Sequence, residues 1–272
     1  MTIKIPQSLE GVSETLLITL LARARESQRP DGLIKDQVAQ DMVKQLDYDF
    51  SRIHMQRHDE VAVIIRMRKF DNIVRQYMTR NPQAAVVHIG CGLDTRFERV
   101  DDGRIEWFDL DMPDVMTLRQ MLLHISNRRY HTLSTSVFEE TWLEEVARCQ
   151  PHALLFIAEG VLPYFEEAQV KGLFLRLRSR FPGCELVSDV HTPFVVWADN
   201  IHLALSKVKA RMHWSVKHPS DVESWAEGIC LLEAWNYMDD ETANLKAFRI
   251  MRMIPGLAKA SGICHYRLGE PV

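Results

Sequence analysis

From residue 85 to residue 99 the chain reads Ala-Val-Val-His-Ile-Gly-Cys-Gly-Leu-Asp-Thr-Arg-Phe-Glu-Arg, an apolar run broken at Gly90 and again at Gly92. A buried strand that turns through Gly-x-Gly has no side chains in the way, so its backbone can approach a ligand closely. About twenty residues on, a second apolar run, Trp107-Phe108-Asp109-Leu110-Asp111, ends in acid. A carboxylate at that strand end is placed to accept hydrogen bonds from both hydroxyls of a ribose. Strand, glycine turn and acid together point to a nucleoside-bearing ligand.

Two features choose between nucleosides. Dinucleotide binding calls for Gly-x-Gly-x-x-Gly, whose third glycine lets a helix pack close under a pyrophosphate. The sixth position here is Thr95. Asp94, inside the turn, would repel a pyrophosphate but tolerate a cationic sulfonium. The expected cofactor is therefore S-adenosylmethionine rather than NAD. Its free carboxylate calls for a bidentate guanidinium, which Arg66 or Arg68 could supply from the helix before the first strand. Glu159 closes the apolar run Leu154-Leu155-Phe156-Ile157-Ala158, where a carboxylate is poorly explained as solvated surface.

The stretch from His88 to Arg99 resembles the GxGLDTRxxR signature of the leucine carboxyl methyltransferase family. Within it, the likeness is to the bacterial branch that contains polyketide O-methyltransferases of the tetracenomycin pathway. Three further family-like blocks follow the family's order: Arg66-Met67-Arg68-Lys69-Phe70-Asp71, Asp109-Leu110-Asp111-Met112-Pro113-Asp114-Val115, and Ala158-Glu159-Gly160-Val161-Leu162-Pro163-Tyr164. The resemblance implies a class I methyltransferase fold, a Rossmann-like α/β sheet of seven strands, one of them antiparallel. It assigns Arg66 to the cofactor carboxylate, and Gly90, Gly92 and Asp94 to the turn beneath the methionine and ribose. It gives Asp111 the ribose, Ser136 and Val137 the adenine, and Glu159 a cofactor-side carboxylate role. The family's eukaryotic branch has Asp where this chain has Ser136. Pro163 before Tyr164 replaces a bulkier apolar residue and alters the expected acceptor pocket.

Methyl transfer from a sulfonium is an in-line displacement, so the protein must align acceptor oxygen, methyl and sulfur and exclude water. A carboxylate acceptor is already ionised and needs no base. A hydroxyl would benefit from one, and His191, after the fifth strand and beside Asp189, is the candidate. Tyr164 is the candidate substrate contact. The expected activity is O-methylation of a small, polyketide-like acceptor. The alternatives are a nicotinamide-dependent oxidoreductase and a non-catalytic binding module on the same fold.

The elements that position these residues can be read from periodicity. Residues 8–27, 36–46 and 60–80 have helical spacing, and the apolar runs 84–89, 105–110, 130–134, 153–158 and 185–190 read as buried strands. Helices are expected between them at 113–126, 139–149 and 166–181, the last bearing acids in its first turn and arginines near its end. A helical insertion at 194–214 follows, then strands at 230–237 and 263–268 joined by a helix at 242–254. The alternation implies a mostly parallel sheet with helices on both faces. Residues 1–81 are expected to form a helical cap and 82–272 the cofactor-binding core, in one compact unit. Trp197 and Trp214 would either line an apolar acceptor pocket or pack the insertion onto the sheet.

Bulk properties bound the reading. With 33 Lys and Arg against 37 Asp and Glu, the formal charge of -4 lacks the basic excess that a nucleic-acid partner would want. Five cysteines, none in a Cys-x-x-Cys pair, fit neither a disulfide framework nor a zinc knuckle, and no metal is expected. No leader or membrane span is read, the expected location is cytoplasmic, and nothing in the chain speaks to an oligomeric state.

Overall fold

The computed structural model describes residues 3–4, 15–205, 210–240, 246–254 and 256–270. The apolar runs become the strands of one sheet: β1 (Ala85–Ile89), β2 (Glu106–Asp111), β3 (Tyr130–Ser134), β4 (Leu154–Ala158), β5 (Cys184–His191), β6 (Ile229–Asn236) and β7 (Ser261–Leu268). Every residue of β1 and β4 is buried, which is why both read as unbroken apolar runs instead of alternating ones. The order across the sheet is β3-β2-β1-β4-β5-β7-β6. β7 runs antiparallel to both its neighbours, and the other strands pair in parallel.

This order places a topological switch point between β1 and β4, where connections leave in opposite directions and a crevice opens beyond the strand ends. The register puts Ile89 beside Leu110 on one side and Ala158 on the other. Gly90, Asp111 and Glu159, the next residue of each strand, therefore emerge on one edge.

Helices α1 (Thr15–Gln28), α2 (Gln37–Gln45) and α3 (Arg57–Arg80) precede the sheet. α3 buries Ile65, Phe70, Val74 and Tyr77 against the face carrying Val86, Trp107 and Ile157. On the other face, α6 (Thr141–Arg148) and α7 (Glu167–Arg180) bring Trp142, Leu173 and Phe174 onto Val87, Phe156 and Leu186. α1 and α2 form a third cluster with α5 (Pro113–Leu122), in which Leu17, Leu20, Ala39, Met42 and Leu118 meet. Asp36 caps α2 by accepting from the Ala39 N–H at 2.9 Å.

Several elements differ from expectation. The first helix is described only from Thr15, so residues 8–14 of the expected span lie outside the described residues, as do 242–245 of the last helix. A short helix, α4 (Arg96–Val100), follows the glycine turn, and a two-residue parallel pair joins Ile3–Lys4 to Leu46–Asp47. Among the described residues of the insertion, Pro193–Leu205 form α8 and 210–216 run without regular structure. α9 (Lys246–Met253) precedes β7.

Neither tryptophan of the insertion lines the cavity at the strand ends. Trp214 is 2% exposed and packs into the core beside Trp225, whereas Trp197 is 61% exposed and lies against Phe194. Core packing, the second of the two readings, holds for Trp214. The insertion reaches the cavity through Met212 instead.

Candidate active site

At the switch point a cavity of about 490 Å³ opens over the ends of β1, β2 and β4 and is roofed by the first turns of α1. The ten residues that the resemblance and the expected chemistry assign to cofactor or acceptor all line it: Arg66, Gly90, Gly92, Asp94, Asp111, Ser136, Val137, Glu159, Tyr164 and His191. Arg68 does not.

The floor is the glycine turn. Gly90 and Gly92 have φ of +64° and +51°, a region that side chains disfavour. The Asp111 carboxylate ties the turn to β2: Oδ2 accepts from the Gly92 N–H at 2.8 Å and Oδ1 from the Met112 N–H at 2.7 Å. Each oxygen keeps a second lone pair for a hydroxyl donor. Burial raises the Asp111 carboxyl above its ordinary value even though both backbone N–H groups favour the charge.

Asp109, two residues earlier on the same face of β2, lies back from the strand end. It is buried, pairs with Arg119, and accepts from Trp107 Nε1 at 2.8 Å and Tyr130 Oη at 2.6 Å. Arg119 also donates to the carbonyls of Gly92 (3.0 Å) and Asp94 (2.6 Å), so it props the turn from behind. From α1, Arg23 donates to the Leu93 carbonyl and to Asp36, both at 2.6 Å, which fastens the roof to the same turn.

A chain of ion pairs runs along one wall. Arg66 Nε donates to Glu159 Oε1 at 2.9 Å, and its Nη1 lies 3.3 Å from Asp189 Oδ2. Arg96 is wholly buried and reaches Asp71 at 2.8 Å, Asp94 at 3.1 Å and the second oxygen of Glu159. Arg99 donates to Asp94 at 2.7 Å and to Asp71 at 2.9 Å. Burial opposes the Asp94 charge, but Arg96 and Arg99 outweigh it and hold the carboxyl well below its usual range. Asp94 thus lines the cavity with its charge paired to these arginines.

Sequence reasoning missed Arg96 and Arg99 as site residues. The available signal was two arginines spaced three apart directly after the turn, flanked by the buried Phe97 and Val100.

The far end is built differently. His191 is buried, with Nδ1 2.9 Å from Ser261 Oγ and Nε2 3.6 Å from Asp189 Oδ2. Burial raises the Tyr164 phenol, partly offset by a hydrogen bond with Thr15 of α1. The Pro163 carbonyl accepts from the N–H groups of His213 (2.7 Å) and Trp214 (3.1 Å), and the His191 carbonyl from that of Val216 (3.0 Å). Asn200 of α8 completes the wall by bonding both the N–H and the carbonyl of Met212, each at 2.8 Å.

A family model for leucine carboxyl methyltransferases matches residues 16–178. The chain is 34% identical over 232 residues to the tetracenomycin polyketide synthesis O-methyltransferase of Streptomyces glaucescens, covering 85% of both chains. It is 31% identical over 242 residues to an S-adenosyl-L-methionine-dependent methyltransferase of Gibberella zeae, covering 82% of this chain and 81% of that one. In fold it resembles a solved family protein of Streptomyces avermitilis, with a TM-score of 0.54 and 15% identity over 91% of this chain and 96% of the other. A solved candidate methyltransferase of Thermobifida fusca gives a TM-score of 0.57 at 14% identity, over 94% and 98% of the two chains.

Proposed function

The chain belongs to the leucine carboxyl methyltransferase family, and from that premise we propose that its cavity binds S-adenosylmethionine and presents it to a small, polyketide-like acceptor. It is an S-adenosylmethionine-dependent O-methyltransferase. The observation that carries the site reading is the pairing of a guanidinium, Arg66, with a strand-end carboxylate, Asp111, across one glycine turn at the sheet's switch point.

The donor set suits this ligand. Arg66 would hold the amino-acid carboxylate, and Glu159, on the same guanidinium, would lie beside it. Asp111 would accept from the ribose hydroxyls with the lone pairs that Gly92 and Met112 leave over. Ser136, Val137 and the half-exposed Met112 would flank the adenine. Gly90 and Gly92 let the backbone come close, and Asp94 acts through Arg96 and Arg99 to hold the turn. Bound there, S-adenosylmethionine supplies an electrophilic methyl group on a sulfonium.

The chain's own work is alignment and exclusion of water. α1 closes the roof, while Tyr164, His191 and Met212 face the acceptor end. His191 Nδ1 is hydrogen-bonded to Ser261, and Nε2 lies 3.6 Å from Asp189, an ion-pair rather than a hydrogen-bond distance. The Ser261 bond orients the ring as part of the wall. A carboxylate acceptor, already ionised, would need no base from it.

The same reading takes residues 1–81 as the cap and 82–272 as the core. It places the protein in the cytoplasm, in keeping with five free thiols. It takes a small molecule rather than a nucleic acid as acceptor, in keeping with the charge of -4. Among the described residues no helix is long and apolar enough to cross a membrane. Calorimetric titration with S-adenosylhomocysteine and, separately, with NAD tests the cofactor. Binding of the first alone is expected; binding of NAD alone would overturn the proposal.

A further inference from the structure

Asp189 is wholly buried on β5, yet three groups of the cavity converge on it. Its Oδ1 accepts from the Gly160 N–H at 2.8 Å. Its Oδ2 lies 3.3 Å from Arg66 Nη1 and 3.6 Å from His191 Nε2. Gly160 has φ +68°, and a Cβ placed there would stand 3.3 Å from Arg66 Nη2, so the guanidinium lies against the open face of this glycine. Arg66 is therefore fixed from three directions, by Glu159, by Asp189 and by the Gly160 backbone.

The arrangement solves a definite problem. An arginine is a long side chain with many rotamers, and its planar fork recognises a carboxylate only when the plane is set in advance. Glu159 grips Nε, Asp189 approaches Nη1 and the open face of Gly160 lies against Nη2, three contacts that together set the plane. The carboxylate that does this also holds the ring of His191 at the acceptor end. We propose that Asp189 is a positioning residue of the cofactor site, orienting Arg66 toward the carboxylate of the bound cofactor while keeping His191 in the acceptor wall. This rests on reading the cavity as the S-adenosylmethionine site.

The competing explanation is that Asp189 merely satisfies the buried Gly160 N–H. An asparagine would do that equally well, because its amide oxygen can accept the same bond. It would not attract the guanidinium. Burial opposes the Asp189 charge, and the bond with His191, the Arg66 charge and the Gly160 N–H together keep the carboxyl below its ordinary value, so the charge is present at neutral pH for Arg66 to use.

The test is a double-mutant cycle read by calorimetric titration of S-adenosylhomocysteine into wild type, Arg66→Lys, Asp189→Asn and the double variant, with ligand-free melting temperatures alongside. Each single change is expected to raise the dissociation constant about tenfold, and the double variant to fall well short of the roughly hundredfold that independent sites would give. Asp189→Glu keeps the charge and is expected to recover part of the loss. Multiplicative effects, or an Asp189→Asn protein within about twofold of wild type, would overturn the role of Asp189 while leaving the cofactor reading intact. A wild type that does not bind S-adenosylhomocysteine would overturn the cofactor reading itself. Should Asp189→Asn fail to fold, the same cycle is run with Asp189→Glu, and coupling to Arg66 remains the criterion.

Discussion

A Cβ placed on Gly90 would stand 2.2 Å from Cγ2 of Val161. The first glycine of the turn is thus required by the protein itself: Val161, just past β4, fills the space a side chain would need. Gly90→Ala combines that clash with a φ of +64°. Overpacking and left-handed strain together are expected to cost about 3 kcal/mol. Chemical denaturation of Gly90→Ala beside Gly90→Ala/Val161→Ala checks the mechanism. The second change is expected to restore part of the loss, and no restoration would place the cause in the backbone alone.

Asp111→Ala is expected to lower ligand-free stability as well as cofactor affinity, because it strips the acceptor from two backbone N–H groups, those of Gly92 and Met112. Each effect is about 1–3 kcal/mol. Asp111→Asn separates them, since it keeps one acceptor oxygen and removes a charge that burial disfavours. It is expected to melt closer to wild type while still binding S-adenosylhomocysteine more weakly. Titration calorimetry and ligand-free melting of both variants provide the measurement.

The sheet and the turn could be read in the chain because they are local: unbroken apolar runs make buried strands, and Gly-x-Gly can end one only in a tight turn. The acids of Trp107-Phe108-Asp109-Leu110-Asp111 show where that stops. They lie two apart in one strand, yet Asp111 faces the cavity and Asp109 is buried on Arg119. Pattern alone separates them only through Asp111's place at the strand end. The Arg66, Arg96 and Glu159 network stayed hidden because its partners lie 93 and 63 residues apart, and pairing at such separations leaves no periodic trace. The insertion misled for a related reason. Tryptophan suits an apolar pocket and a core equally well, and Trp214 found a place beside Trp225.

Acid should weaken the fold through Asp109. Burial pushes this carboxyl up, but Arg119, with His88 and Tyr130, brings it down to about 2 from an ordinary 3.8. A depressed carboxyl contributes stability that is complete above the ordinary value and is lost as pH falls from about 4 toward about 2. The contribution is on the order of 2 kcal/mol. Asp111, whose value is raised, works in the opposite sense, stabilising the fold as it takes up its proton. Denaturant midpoints measured across this window are expected to fall in wild type and to fall less steeply in Asp109→Asn. At pH 7 that variant is expected to lose roughly 3–5 kcal/mol, because Arg119 is left buried without its carboxylate.

The acceptor wall can be loosened without touching the cofactor. Asn200 holds both backbone groups of Met212, and Met212 is the point at which the 210–216 segment enters the cavity. Asn200→Ala removes both bonds, at a cost of about 1–3 kcal/mol if the freed groups stay dry and less if water reaches them. The Met212 amide is then expected to exchange with deuterium faster, while the amides of β1 and β4 keep their protection. Affinity for S-adenosylhomocysteine is expected to stay within about twofold of wild type, because Arg66, Gly92 and Asp111 are bound to partners other than Asn200 and Met212. With any acceptor that the wild type methylates, KM should rise more than kcat falls, because a flexible thioether wall costs binding before it costs alignment. Unchanged exchange at Met212 would show that Pro163 and His191, through their bonds to residues 213, 214 and 216, hold the segment without Asn200. A large loss of cofactor affinity would show that the two ends of the cavity are mechanically one.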